Sequence, residues 1–157
     1  MKKILILLFI SSLLSSCGTS KTVRVSKKII KGDWTINNIT YNTSGNYKVS
    51  LFNDVSKECF EGSIWHFIPN NFTGNYVIND ANCEASERYF RFNIQEVDQE
   101  TGLYNFLLKP TDKKYKSEDN HGFRLKLSHL SDTDMQWQQK VNVDGKPFII
   151  TLNFIKN

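Results

Sequence analysis

Apolar and polar residues alternate late in this chain. Phe123, Leu125 and Leu127 interleave with Arg124, Lys126 and Ser128, and Met135, Trp137, Val141 and Val143 are separated by Gln136, Gln138, Lys140 and Asn142. A period of two places the apolar set on one face of a strand and the polar set on the other, so each segment has one face for a core and one for water. From Gly32 onward the same kind of segment recurs, rich in aromatic and β-branched residues. The spacing predicts strands over 33–41, 63–68, 74–79, 88–97, 103–109, 123–130, 135–143 and 147–155. The breaks are turn-like: Asn70-Asn71-Phe72-Thr73-Gly74, Asp98-Gln99-Glu100-Thr101-Gly102, Ser131-Asp132-Thr133-Asp134 and Asp144-Gly145. Short connections make successive strands antiparallel neighbours. About eight of them predict an all-β, eight-stranded antiparallel up-and-down β-barrel, which leaves no exposed edge; a β-sandwich is the second architecture that fits. Residues 50–57 are read as one short helix over an end of the barrel, and 110–122 as the longest polar loop.

The chain begins differently. Lys2 and Lys3 precede an apolar stretch from Ile4 to Leu14, which at about 11 residues falls short of the roughly 20 that span a bilayer as a helix. It reads as the core of an export signal, closed by Leu14-Ser15-Ser16-Cys17. That closing sequence resembles the box recognised by bacterial lipoprotein signal peptidase. The resemblance implies that residues 1–16 are removed and that Cys17 becomes an acylated N-terminus; the plainer reading is a secretory signal with an incidental cysteine. Residues 17–31 then form a lipid-anchored basic linker and 32–157 the barrel domain. Removal of the leader leaves 141 residues, enough for one core.

Charge divides along the same boundaries. Of 20 basic residues, Lys2 and Lys3 lie in the leader, and Lys21, Arg24, Lys27, Lys28 and Lys31 in the linker. Thirteen remain against all 16 acids, so the barrel domain is mildly acidic and lacks the clustered positive charge of a nucleic-acid surface. A basic linker beside a lipid anchor is drawn to anionic headgroups by about 1 kcal/mol per close cation. The alternative is a solvated spacer.

Cys59 and Cys83 stand 12 residues on either side of Asn71, the expected turn of a hairpin, so antiparallel pairing returns both to one end of the sheet. In an exported chain this favours a structural disulfide over two buried thiols. The inward alternates nominate an apolar lining: Trp65 and Phe67, Phe90 and Phe92, Tyr104 and Phe106, Phe123 and Leu125, with Trp137, Phe148 and Ile150. Such side chains either surround one small ligand or fill the barrel themselves, and sequence does not separate these outcomes. His66, His121 and His129 are scattered, and no metal-ligand spacing, nucleophile elbow or phosphate loop is present. The expectation is a non-enzyme without metal or cofactor.

Gly32-Asp33-Trp34 opens the first predicted strand, and with it the chain resembles the lipocalin family, in which a Gly-x-Trp motif lays its indole across the closed base of an eight-stranded barrel. The resemblance covers about residues 31–157 and is closest to the exported bacterial lipocalin-like lipoproteins. Gly32 and Trp34 carry it as structural residues. A second family motif has only an echo in Thr133-Asp134-Met135, and the basic residue that would stack on the indole is at best Lys156. What the resemblance implies is an envelope lipoprotein, outer-membrane anchored and facing the periplasm, that binds a small hydrophobic or amphipathic ligand. The alternative is a filled barrel that docks an envelope protein partner through its polar loop 110–122. Cys17→Ala is expected to abolish lipid labelling and to release the protein from membranes washed in high salt; a variant that stays bound contradicts the anchor.

Overall fold

The computed structural model describes residues 21–157 apart from 99 and 118; the leader and Cys17 lie outside the described residues. Eight antiparallel strands close into a barrel in sequential order, with the last paired to the first. They are β1 (Gly32–Tyr41), β2 (Ile64–Ile68), β3 (Thr73–Val77), β4 (Glu87–Val97), β5 (Tyr104–Thr111), β6 (Phe123–Leu130), β7 (Asp134–Val143) and β8 (Lys146–Lys156). Each boundary falls within two residues of the sequence reading. The cause is the alternation itself: in β8, Phe148, Ile150, Leu152 and Phe154 are buried while the intervening residues are not.

Register is set by local geometry. An irregularity between Ile36 and Asn38 shifts the β1 pairing with β8, and this turns both Ile36 and Ile39 inward although they are three apart. Further shifts follow Ile94 in β4 and Leu127 in β6. Gly74 is required where β3 crosses Phe90, because a Cβ there would lie 2.4 Å from the Phe90 ring and 2.5 Å from the His66 carbonyl oxygen.

The basic segment before β1 differs from the expected linker. Residues Lys21–Ile30 form a helix, α1, whose Val23, Ser26 and Ile30 are buried. These positions fall at i, i+3 and i+7, one face of a helix, and burial of Val23 and Ile30 on that face stabilises docking on the barrel end where β1 begins. Two bonds fasten its C-terminus: the Trp34 indole Nε1 donates to the Ile30 carbonyl at 2.8 Å, and Lys156 Nζ donates to the Ile29 carbonyl at 2.6 Å. Cations are favourable at this negative end of a helix. Gly32, at φ +110°, makes the sharp turn from helix into strand that an L side chain resists.

Residues 42–63 connect β1 to β2 and fold over the opposite end. The single helix expected over 50–57 is instead a 3-10 turn at Leu51–Asn53 and a four-residue helix, α2, at Lys57–Phe60. Phe52 and Asn53 adopt left-handed backbone angles, φ 53° and 54°, and this breaks the helix. The conformation is costly for Phe and is held by the bond from the Leu51 N–H to the Val55 carbonyl and by the burial of Leu51, Phe52 and Phe60.

Cys59 of α2 and Cys83 of the β3–β4 connection form a disulfide, with Cα atoms 5.8 Å apart. It lies at the end away from the Asn71 turn, as the spacing argued, but it ties two connections and not the strand ends themselves. A sequence separation of 24 corresponds to about 3–4 kcal/mol of unfolded-state constraint in the chain-entropy model, an upper figure. Replacing both cysteines by serine is expected to lower the unfolding midpoint, and thiol labelling of the denatured, unreduced protein is expected to find neither Cys59 nor Cys83 free. Two free thiols would contradict the bridge.

Candidate functional site: the barrel interior

The site is the space enclosed by the inward alternates. Trp65 of β2 has no exposed surface and stands at its centre, stacked on Tyr76 of β3 at 4.3 Å between ring centroids. It meets Phe90 at 5.3 Å, Trp137 at 5.6 Å and Phe154 at 5.8 Å. Trp137 in turn lies 4.8 Å from both Phe106 and Phe154. Offset and edge-to-face pairs at these separations are favourable beyond the area they bury.

Of the proposed lining, Trp65, Phe67, Phe90, Phe92, Tyr104, Phe106, Leu125, Trp137, Phe148 and Ile150 are all buried in this one core. Phe123 is half-buried and sits against Phe52, 5.3 Å away. Phe148 is drawn toward the rim, where it packs with Tyr41 and Tyr47. Tyr76 and Phe154 also belong to the interior and were missed. Both were accessible to the same reasoning, since Phe154 extends the run 148, 150, 152 and Tyr76 lies within a predicted strand.

Ile30, Phe52 and Phe60 carried no such signal. They enter from outside the strands, at the two ends. Phe60 reaches Tyr76 at 5.5 Å and Phe52 meets Phe60 at 5.6 Å, so the connection 42–63 fills the upper part of the barrel with its own rings. At the other end Ile30, Phe67, Phe92, Tyr104, Phe106 and Trp137 surround a cavity of about 10 Å³. That is room for about one water, far below the several hundred Å³ of a ligand pocket. In this state the interior is filled by side chains.

Polar groups around this interior are few. The Trp137 Nε1 donor is buried without a hydrogen-bond partner among the described residues. Burial pushes the Tyr104 phenol pKa upward, with the Ser26 hydroxyl opposing. Burial likewise raises that of Tyr76, and the neighbouring Asp54 charge adds to it while Arg88 opposes. Tyr76 therefore remains a neutral donor. Its hydroxyl donates to Asp54 Oδ2 at 2.8 Å, and the same carboxylate pairs with Arg88 Nε of β4. Asp54 follows Phe52 by two residues, so this contact and the Cys59–Cys83 bridge latch the connection 42–63 to the barrel at two points. Elsewhere His66 pairs with Asp33 and His121 with Asp119, both at the surface. No three His, Cys, Asp or Glu side chains converge among the described residues to hold a metal ion.

The crystal structure of a lipocalin-like protein from Bacteroides uniformis ATCC 8492 superposes on this barrel with a TM-score of 0.50, covering 82% of this chain and 99% of that one at 9% identity. The fold is lipocalin-like. No known family's sequence profile and no curated protein matches the chain. Within this lipocalin-like barrel Trp34 lies across the end closed by α1, with the Lys156 ammonium 5.1 Å from its ring centroid.

Tyr76→Phe tests the latch. Losing one hydrogen bond to a carboxylate is expected to cost about 1–2 kcal/mol of stability, measured by denaturant unfolding with tryptophan fluorescence. An unchanged midpoint would mean that Asp54 does not hold the connection in place.

Proposed function

We propose that this protein is a lipid-anchored lipocalin-like lipoprotein of the bacterial envelope, attached through Cys17, most simply to the outer membrane on its periplasmic side, and that it carries a small hydrophobic or amphipathic molecule. One observation carries the ligand reading. The rings that fill the upper barrel, Phe52 and Phe60, belong to the connection 42–63 and not to a strand, so the volume they occupy can be vacated without breaking any strand pairing. Phe52 holds a strained backbone while doing so. A ligand that replaces these rings against Trp65, Tyr76 and Phe123 exchanges one apolar contact for another and relieves that strain. Its affinity is the difference between the two packings, which favours a ligand larger than the side chains it displaces. We assign the protein no catalytic step and no cofactor.

A second reading is favoured by the cavity of about 10 Å³: a permanently filled barrel that serves an envelope complex. Its docking element would be the polar connection after β5, folded around Asp112, whose carboxylate accepts the N–H groups of Lys114 and Lys116 at 2.9 and 2.8 Å.

Titration with medium-chain fatty acids, followed by tryptophan fluorescence, separates the two. The carrier reading expects saturable binding by the native protein and binding at least several-fold tighter by Phe52→Ala, which opens space without a new polar group. If neither protein binds and in-cell crosslinking captures one partner that is lost on deleting 112–122, the docking reading stands and the carrier falls.

A further inference from the structure

We infer that the exposed face of α1 lies on an anionic lipid headgroup layer, so that the helix-capped end of the barrel faces the membrane and the end closed by Phe52 and Phe60 faces away. This rests on the reading of Cys17 as an acylated residue. Only three residues, 18–20, separate Cys17 from Lys21, the first residue of α1. Four residue steps reach at most about 14 Å by any path. The helix is not free to swing on that tether, since Val23, Ser26 and Ile30 are buried and its last carbonyls are bonded by Trp34 and Lys156. Lys27 is also engaged, its ammonium 3.7 Å from the Phe72 ring centroid in the β2–β3 turn. An acyl chain in the bilayer therefore brings a rigid end of the barrel to the surface.

The face left outward suits that surface. Arg24 and Lys28 are exposed, with no ion-pair partner among the described residues, and Val25 between them is 48% exposed. A cation, an apolar residue and a cation in succession match phosphate oxygens with the hydrocarbon boundary beneath them. The turns at this end also carry Asp98, Glu100 and Asp132, which anionic headgroups repel. Contact is thus confined to the helix face, and the attraction is about fivefold in partition per close cation. Retention comes from the acyl chain; the helix supplies the orientation. Strands of this length, tilted as in a small barrel, hold the far end about 25 Å further from the bilayer. A ligand would then be exchanged with the aqueous side or with another protein, not directly with the membrane of attachment.

The test uses the full-length protein purified from membranes and placed in phosphatidylcholine vesicles containing phosphatidylglycerol and brominated lipid. A fluorophore is attached at Val25→Cys, or at Asp144→Cys in the β7–β8 turn of the far end. Quenching is expected to be several-fold stronger at position 25. High salt, or Arg24→Glu with Lys28→Glu, is expected to reduce it by at least half with the thermal midpoint unchanged. Equal quenching at both positions, stronger quenching at 144, or indifference to charge reversal overturns the orientation. Position 25 becoming shielded only in native membranes would assign this face to a protein and also overturn it. Mass spectrometry of the N-terminal peptide separates the premise from the inference: an unmodified Cys17 removes the anchor itself, whereas a modified Cys17 with the wrong label quenched removes only the orientation.

Discussion

Pairing of β8 with β1 along seven register positions closes the sheet, and closure fixes the internal volume that the inward side chains have to fill. In an open sheet a large ring can lean over an edge. In a closed barrel it cannot, and every inward residue is placed by its neighbours. Trp65 bears most of this constraint, because rings from the strands on both sides of the barrel and from the covering connection converge on it. The small residues follow from the same demand. Gly74 leaves room for the edge of the Phe90 ring against β3, and the irregularity after Ile36 turns Ile39 inward where a regular strand would have placed Asn38.

The strands, their order and most of the interior were legible in the sequence because alternation is a local property: Phe123, Leu125 and Leu127 declare their face without reference to anything else. The basic linker and the connection 42–63 were not legible, and the reasons differ. In α1 the buried positions Val23, Ser26 and Ile30 include a serine and sit among four cations, so charge concealed the helical period. Its docking depends on Trp34 and Lys156, and the latter is more than a hundred residues away. Phe52 and Phe60 lie in no periodic pattern at all. Their burial follows from a left-handed turn, an ion pair with Arg88 and a disulfide, each of them a tertiary relation that a one-dimensional reading does not contain.

The two ends of the barrel are closed by different means, and that difference bears on function. The α1 end is held by packing and by bonds to helix carbonyls, one from Trp34 in the strand that the helix runs into and one from Lys156 at the end of β8. The far end is held by an excursion of the chain that carries backbone strain at Phe52 and is fastened at Asp54 and Cys59. On the carrier reading, strain concentrated beside the larger internal rings offsets part of the cost of opening that end, and its two fastenings keep the opening local. A barrel that is filled at rest and yields at one end can exchange side-chain volume for ligand volume while keeping its ladder intact.

Native-state hydrogen exchange measures this asymmetry directly. Amides of 51–60 are expected to exchange through a local opening of lower free energy than those of β7 and β8, with the bonded amides of α1 exchanging only when the barrel itself unfolds. If α1 opens first, or if residues 51–60 are protected to the level of global unfolding, the far end is not the gate and the filled interior is permanent.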